Sequence, residues 1–175
     1  VDYEERFYAV GKILGSRFVR REGKSSEEAV LSGRVIDRTI RPLFDQRMRR
    51  DVQVVVTILS YDEDDDLDFL ALTSASTALA ISDIPWAGPV AGIKIVRKNG
   101  ELIINPKNSQ LTEGVEYQLF AAGPTGRINM IEAEGMEASE ADALAGFELA
   151  QKEIDALIKF QNDIVAKIGK QKQAV

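Results

Sequence analysis

The run Val52–Ser60, with the sequence VQVVVTILS, constrains the fold more than any other segment of the chain. Its side chains are mostly β-branched and almost continuously apolar, without the alternation of a strand that has one wet face. The run therefore predicts a strand that is covered on both faces, at the centre of a sheet. Such a strand needs partners from upstream, yet the chain starts without Met on residues that resemble the end of a strand. We expect a fragment of a longer polypeptide.

Two helices are predicted on either side of this strand in the sequence. Ser25 followed by Glu28 forms a capping box and predicts a helix that begins there and runs through Ile40. The acidic stretch Asp62–Asp66 precedes a second helix, predicted at about residues 67–81, whose Ala, Ser and Thr side chains allow close packing. We interpret the acidic stretch as a solvated turn favoured by the helix dipole, because it lacks the glycine and glutamate spacing of a calcium loop.

Two hairpins and a long helix are predicted downstream. The first hairpin spans residues 90–105 around Asn99-Gly100, and the second spans residues 116–134 around the turn sequence GPTG. An amphipathic helix, from about Ala138 to Ile168, closes the chain. Its apolar face consists of Leu144, Phe147, Ile154, Leu157, Ile158, Ile164, Val165 and Ile168. Together these elements predict an α+β (mixed α/β) fold, in which a sheet packs against helices.

The absence of Cys and His excludes several chemistries. The 175 residues suffice for one domain with a buried core, and 45% apolar with 29% charged residues is typical of a globular protein. Without Cys or His the chain has no disulfide framework, thiol nucleophile, His-ligated metal or Ser-His-Asp triad. No apolar run approaches the length of a bilayer span, and the first residues, VDYEER, lack a signal-peptide pattern. We expect a soluble, cytoplasmic protein with no membrane partner.

The charge is distributed unevenly along the chain. The formal net charge is −6, but residues 1–50 hold 12 basic and 8 acidic side chains, whereas residues 51–175 hold 10 basic and 20 acidic ones. Ten of the twelve basic residues in the first segment are Arg. The planar guanidinium group binds phosphate through two parallel hydrogen bonds, so this bias indicates a local polyanion site. A surface of Arg and Glu salt bridges is the alternative on composition alone.

Two groups of arginines form the strongest candidate site. Arg20 and Arg21 lie next to Phe18 in a predicted loop, and three further arginines share one face of the predicted helix, namely Arg34, Arg38 and Arg41. An aromatic ring among arginines is typical of single-stranded RNA binding, because a base stacks on the ring while guanidinium groups hold phosphates. The alternative is structural, with Phe18 in the core and Asp37 paired with Arg34 and Arg41. The residues alone leave both interpretations open.

Four sequence motifs add a resemblance to a known family. The segments YAVGKILGS, FVRREG, VIDRTIRPLF and DIPWAGPVAGI, in this order, resemble the polyribonucleotide nucleotidyltransferase (polynucleotide phosphorylase) family. The resemblance covers essentially the whole chain and is to the first of the two ribonuclease-PH-like cores of that family. The sequence departs from the family at Leu14, where Pro is usual, and by one extra residue between Gly15 and Phe18. The family's first core also begins with several strands that precede these motifs.

The resemblance implies an activity for the intact protein. Members of the family degrade RNA from the 3′ end by phosphorolysis, with Mg²⁺ as cofactor and inorganic phosphate as co-substrate, and release nucleoside diphosphates. It further implies a role in mRNA degradation, a homotrimer with a central channel for single-stranded RNA, and contacts with RNA-degradation complex proteins. Phe18, Arg20 and Arg21 would line the mouth of the channel, and Arg38 and Arg41 would position backbone phosphates.

The same resemblance implies that catalysis lies in the other core. The family's active core binds phosphate with a serine cluster, whereas this chain has Asp66-Leu67-Asp68 at the corresponding place. Thr112, Gln118 and Phe120 stand where the active core has its two Asp and one Lys. We therefore expect no catalytic or metal-binding residue here, with Mg²⁺ bound by the other core and this piece inactive alone.

The resemblance also implies a division of the chain and leaves two alternatives. Residues 1–135 would form the first core without its N-terminal strands, and residues 136–175 would form a C-terminal helix that leads toward a helical linker domain. One alternative is a core that is catalytic by itself. The absence of acids at Thr112 and Gln118 is the evidence against it. The other is a free-standing, non-catalytic RNA-binding or assembly subunit of an exosome-like ring.

Overall fold

The structure, a computed structural model, describes residues 1–5, 25–62, 64–111 and 113–175. Within these residues the elements follow one another as β1 (Asp2–Glu5), α1 (Glu27–Ile40), β2 (Val55–Ile58), α2 (Asp68–Ile81), β3 (Ala91–Lys98), β4 (Glu101–Ile104), β5 (Val115–Gly123), β6 (Met130–Gly135) and α3 (Glu140–Ile168). Short 3₁₀ turns lie at Arg41–Leu43 and Asn108–Gln110. No helix in this part of the chain has the length and apolar character needed to cross a bilayer.

Two sheets are present among the described residues. One is antiparallel with the strand order β4-β3-β5-β6, and the other is a parallel pair of β1 and β2. Both predicted hairpins are confirmed, since β3 pairs with β4 and β5 pairs with β6. The first turn forms at Asn99 and Gly100, whose φ angles of 50° and 83° are the positive values that an Asn-Gly turn supplies.

The long helix α3 covers one face of the four-stranded sheet. Ala150, Ile154 and Ile158 pack against alternate residues of the sheet, such as Ile93 and Leu119. Because side chains alternate across a strand, these contacts define one face.

The helices α1 and α2 cover the opposite face of the same sheet. Phe120 and Ala122, which alternate with Leu119 along β5, are buried with Ile36 of α1 and Leu72 of α2. Gly92 permits this approach, since a Cβ there would lie 2.5 Å from the Phe120 ring. The sheet is therefore sandwiched between α3 and the helix pair.

The first helix begins one residue later than the sequence predicts. The hydroxyl of Ser26, and not that of Ser25, accepts the hydrogen bond from the backbone N–H of Ala29 at 3.0 Å. The predicted cap at Ser25 is therefore wrong, because the side chain that satisfies a free N–H at the third helical position defines the start of the helix. The predicted end at Ile40 is confirmed.

The prediction for Val52–Ser60 is wrong in length and burial. Only Val55–Ile58 forms a strand, and Val55 and Leu59 are 49% and 70% exposed. Among the described residues β2 pairs with β1 alone. One side of β2 borders an open, mainly apolar groove of about 560 Å³ that also exposes Leu70 of α2. The continuous apolar run thus does not lie at the centre of a sheet in the described structure.

Two other predictions need correction. The acidic stretch is not simply solvated, because the Asp64 carboxylate accepts hydrogen bonds from the N–H and hydroxyl of Ser109 at 2.7 and 3.1 Å. These bonds lower the pKa of Asp64 and tie the turn to the connection between β4 and β5. On α3, the predicted apolar face extends too far, since Leu144 and Ile168 are 58% and 62% exposed.

Candidate nucleic-acid interface

The arginines of α1 lie on its solvent side. Arg34 and Arg38 are exposed, whereas Val35, Ile36 and Ile40 are buried in the core. The 3.6-residue period of the helix separates these two sets, so burial of the apolar residues turns the arginines outward. Arg41 continues the row in the 3₁₀ turn that follows α1. The basic row that the spacing predicts is therefore present.

A packed aromatic pair holds the segment after α1 in place. The Phe44 and Trp86 rings lie 6.2 Å apart between centroids. Trp86 donates from its indole N–H to the Ile40 carbonyl oxygen at 3.0 Å, and Ala87 N–H donates to Leu43 O at 3.0 Å. The motif VIDRTIRPLF is thereby joined to DIPWAGPVAGI, and the joint fixes Arg41 relative to the core.

Arg41 forms an ion pair that the sequence interpretation left open. Its Nε and Nη2 donate to the two oxygens of Asp37 at 2.9 and 2.7 Å, and its side chain remains 71% exposed. The hydrogen bond and the charge of Asp37 raise the pKa of Arg41. Within the described residues neither Arg34 nor Arg38 has an ion-pair partner. The ion pair with Asp37 is thus present at Arg41 and, among the described residues, not at Arg34.

Two clefts of mixed charge lie beside this pair, since Asp2 also lines the first and Asp45 and Asp51 also line the second. Arg34, Asp37 and Arg41 line one cleft of about 280 Å³, and Asp37, Arg41 and Arg50 line a second of about 330 Å³. Arg50 donates to Gln173 Oε1 at 2.8 Å. The arginine face, as we define it, consists of Arg34, Arg38, Arg41 and Arg50.

The sequence interpretation missed Arg50, although the count of ten arginines in residues 1–50 included it. Its position depends on Gln173, which is 123 residues away, so no local spacing could indicate it. Arg47 lies in the same segment but pairs with Asp45 at 2.6 Å. Hydrogen bonds from Arg47 lower the pKa of Asp45 to about 2. Phe18, Arg20 and Arg21, the other predicted RNA contacts, lie outside the described residues.

A separate pocket of about 210 Å³ lies on the sheet beside the N-terminus of α2. Its lining includes Gln118 and Phe120, two of the three positions where the resemblance places catalytic groups, while Thr112 lies outside the described residues. Its charged side chains are Asp66, Asp68, Lys94, Glu132 and Glu134. Four carboxylates against one ammonium group repel phosphate.

The pocket also lacks the features of a divalent cation site. The ammonium of Lys94 lies 2.6 Å from the Asp66 carboxylate and so neutralises an oxygen that a metal would need. Burial raises the pKa of Asp68, although a hydrogen bond from Ser32 opposes this shift. No group of three acidic side chains in the described ranges is arranged to hold a metal ion. The pocket therefore fits neither Mg²⁺ nor phosphate.

Comparisons with known proteins agree with the motifs. Residues 1–85 match the 3′ exoribonuclease family, domain 1. The polyribonucleotide nucleotidyltransferase of Exiguobacterium sibiricum is 49% identical over 174 residues, which is 99% of this chain and 23% of that protein. Those of Anoxybacillus flavithermus and Heliobacterium modesticaldum are 46% and 45% identical over 175 residues, 100% of this chain and 25% and 24% of those proteins.

The chain matches this family model over residues 1–85, just under half of its 175 residues. It spans about a quarter of the length of the curated relatives it matches. The crystal structure of rice (Oryza sativa) Rrp46 superposes with a TM-score of 0.63 at 16% identity, over 83% of this chain and 67% of that one. At this identity the likeness shows the fold, and the predicted α+β, ribonuclease-PH-like fold is confirmed.

Proposed function

We propose that this chain is the first ribonuclease-PH-like core of a polyribonucleotide nucleotidyltransferase, an enzyme that degrades RNA from the 3′ end by phosphorolysis. The observation that carries the proposal is the arginine face of α1 and the following turn. It lies in a chain 45% to 49% identical to proteins of that name. Four guanidinium groups on one side of an otherwise acidic protein attract a polyanion.

In this role the arginine face holds the RNA backbone and performs no bond cleavage. Arg38 and Arg34 offer guanidinium groups without a described ion pair, and each phosphate they bind releases a condensed counterion. Arg41 would contribute its free N–H groups while Asp37 fixes its orientation. Phe18, Arg20 and Arg21 would stack a base and grip phosphates at the channel mouth.

Catalysis is assigned to another core of the intact enzyme. Support comes from the acidic pocket beside α2, where Lys94 is paired with Asp66. In the same pocket Gln118 stands in place of an Asp and Phe120 in place of the Lys. Mg²⁺ and inorganic phosphate would act in that other core. The piece described by this sequence would then guide RNA without converting it.

The remaining parts of the proposal concern the intact protein. We place residues 1–135 in the first core and residues 136–175 in a closing helix that leads to a helical linker domain. Packing of Ile154 and Ile158 on the sheet supports the middle of α3 as part of the core. A homotrimer with a central channel, a role in mRNA degradation with RNA-degradation complex proteins, and a cytoplasmic location complete the proposal.

The test measures binding of a single-stranded oligoadenylate as a function of salt. The double variant Arg34→Ala, Arg38→Ala should lower the log–log salt slope by about 1.4, because each lost contact with a single strand removes about 0.7. The matched control is Lys152→Ala, Lys159→Ala, which removes the same charge from exposed positions of α3. Equal slopes for the wild type and the arginine variant would refute RNA binding by this face.

A second assay addresses the assignment of catalysis. The purified chain, incubated with polyadenylate, phosphate and Mg²⁺, should release no ADP above a control without protein. Release of ADP that follows the chain through purification would favour a core that is catalytic by itself. The acidic pocket keeps the free-standing RNA-binding subunit as a second candidate, and the intact gene decides between the two: a second core downstream supports the long enzyme.

A further inference from the structure

The strand β6 forms one edge of the four-stranded sheet. Among the described residues it pairs with β5 alone, in the register from Tyr117 opposite Gly135 to Ala122 opposite Met130. All of its residues after Met130 are exposed, and Ile131 is 50% exposed. An uncovered sheet edge of this length offers backbone groups to another extended chain.

The backbone groups on the free edge can be assigned to residues. Met136 N–H donates to the carbonyl oxygen of Glu116 at 3.0 Å, so this position faces β5. Hydrogen-bonded positions alternate along an antiparallel pair, so Ile131, Ala133 and Gly135 direct their N–H and C=O groups outward. Three residues with this orientation are enough to pair with a short strand.

One face of the edge is acidic. Glu132 lies in a row with Phe120 and Lys94, and Glu134 lies in the next row with Gln118. Both glutamates line the pocket of about 210 Å³ that also contains Asp66 and Asp68. Lys94 is occupied by Asp66 at 2.6 Å, while Glu134 accepts a hydrogen bond from Gln118 at 3.0 Å. A side chain from an added strand would meet an excess of negative charge on this face.

The other face of the edge is apolar. Ile131 and Ala133 point to the side of the sheet that α3 covers, and they remain exposed because α3 packs over β3 and β5. The edge therefore alternates between acidic and apolar positions with the period of a strand.

We propose that the free edge of β6 binds an extended segment of a partner protein in which Lys or Arg alternates with apolar residues. The segment adds an antiparallel strand, with its basic side chains toward Glu132, Glu134 and the acidic pocket and its apolar side chains beside Ile131. Main-chain hydrogen bonds supply affinity and the alternating side chains supply specificity.

Charge selects this occupant over a second copy of the chain. Two β6 edges that paired with each other would bring Glu132 and Glu134 of both copies together, and like charges across a strand pair are destabilising. The same carboxylates repel an RNA backbone. A basic strand is complementary to both the charge and the free backbone groups.

Synthetic peptides of eight residues test the proposal on the 175-residue chain. The peptide with alternating Lys and Val should bind with measurable affinity by fluorescence anisotropy, and one with alternating Glu and Val should not. A third peptide keeps the Lys-Val sequence but carries N-methyl groups on every second backbone nitrogen, which blocks strand pairing and leaves the charge unchanged. Equal binding of the methylated peptide, or no binding of the Lys-Val peptide at millimolar concentration, would overturn the proposal.

Variants of the chain locate the binding site. Ala133→Pro removes an outward N–H without breaking a bond to β5, and should weaken binding more than about tenfold. Glu132→Gln with Glu134→Gln should weaken it about fivefold, whereas the control Glu101→Gln with Glu148→Gln should leave it unchanged. Equal effects of the two double Glu→Gln variants would indicate nonspecific electrostatic attraction and would overturn the proposed binding site. Circular dichroism verifies folding, and the methylated peptide decides the question if Ala133→Pro does not fold.

Discussion

The side-chain oxygen of Gln161 on α3 accepts a hydrogen bond from Ser76 Oγ on α2 at 2.7 Å, and both residues are fully buried. The Gln161 amide donates to Val90 O at 2.9 Å, while Val90 N–H donates to Ser76 Oγ at 2.9 Å. Helices α2 and α3 and Val90, the residue before β3, thus share one closed set of polar contacts. Burial makes the set costly to break, because a group left without a partner has no access to water.

Replacement of Gln161 by Met should destabilise the fold. The variant keeps the side-chain length but leaves Val90 O and the Ser76 hydroxyl hydrogen without partners, at a cost of about 2–4 kcal/mol in the free energy of unfolding. Urea denaturation followed by circular dichroism measures the effect. Gln151→Met on the same helix is the control, because Gln151 bonds Asp155 outside the core and its loss should cost less than about 0.5 kcal/mol. Equal costs for the two variants would contradict the role of the buried set.

Lys172 provides a second test, at the C-terminus of α2. Its ammonium donates to the carbonyl oxygens of Leu79, Ala80 and Ser82 at 2.7, 3.0 and 2.8 Å. Two of these acceptors belong to the last turn of α2 and the third to its C-cap residue Ser82, where a cation is favoured. Lys172→Met should lower the free energy of unfolding by about 1 kcal/mol. Lys170→Met serves as the control. An equal loss of stability in that variant would show that the positive charge matters and that the hydrogen bonds of Lys172 to the end of α2 do not.

The pKa of Asp68 predicts a dependence of stability on pH. Burial raises this pKa above its unfolded value of about 3.9, so the native state binds the proton more tightly, and its stability falls as pH rises from about 4 through the folded pKa. Asp68→Asn removes this titration. The thermal unfolding midpoint of the variant minus that of the wild type should therefore be more positive at pH 7 than at about pH 4.

A companion variant tests the cause of that shift. Ser32→Ala removes the hydrogen bond that opposes burial, so NMR titration should find the pKa of Asp68 raised further. An unchanged pKa in Ser32→Ala would contradict the opposing role of this hydrogen bond. A difference in unfolding midpoint for Asp68→Asn that is the same at both pH values would contradict the raised pKa itself.

Local sequence signals predicted most of the elements because the causes are local. Asn99-Gly100 specifies its turn because both residues adopt positive φ angles. The apolar residues between Glu27 and Ile40 recur with the period of a helix, and they form its buried face. The end of α1 at Ile40 follows from Pro42 in the next turn. These features require no information from distant residues.

The errors arise where distant partners decide. Val55 and Leu59 are apolar enough for a central strand, but burial depends on which elements lie beside them. Asp66 could not be assigned to Lys94 from spacing, since 28 residues separate them. The ion pair of Arg41 with Asp37 is local, because positions i and i+4 are adjacent on a helix, and the spacing could indicate it. Contact of Arg41 with phosphate stays a prediction.

Asp37 should act as a competitor for the guanidinium group of Arg41. The two side chains share two hydrogen bonds at 2.7 and 2.9 Å on a mostly exposed surface, so an incoming phosphate must either displace the carboxylate or use the remaining N–H groups. Asp37→Asn should strengthen binding of single-stranded oligoadenylate about threefold at low salt and make the salt slope steeper, because it frees one positive charge. The same substitution in an Arg41→Ala background isolates the pair from the general loss of negative charge. An equal gain in both backgrounds would show that Asp37 acts only through the overall field and that Arg41 does not contact RNA.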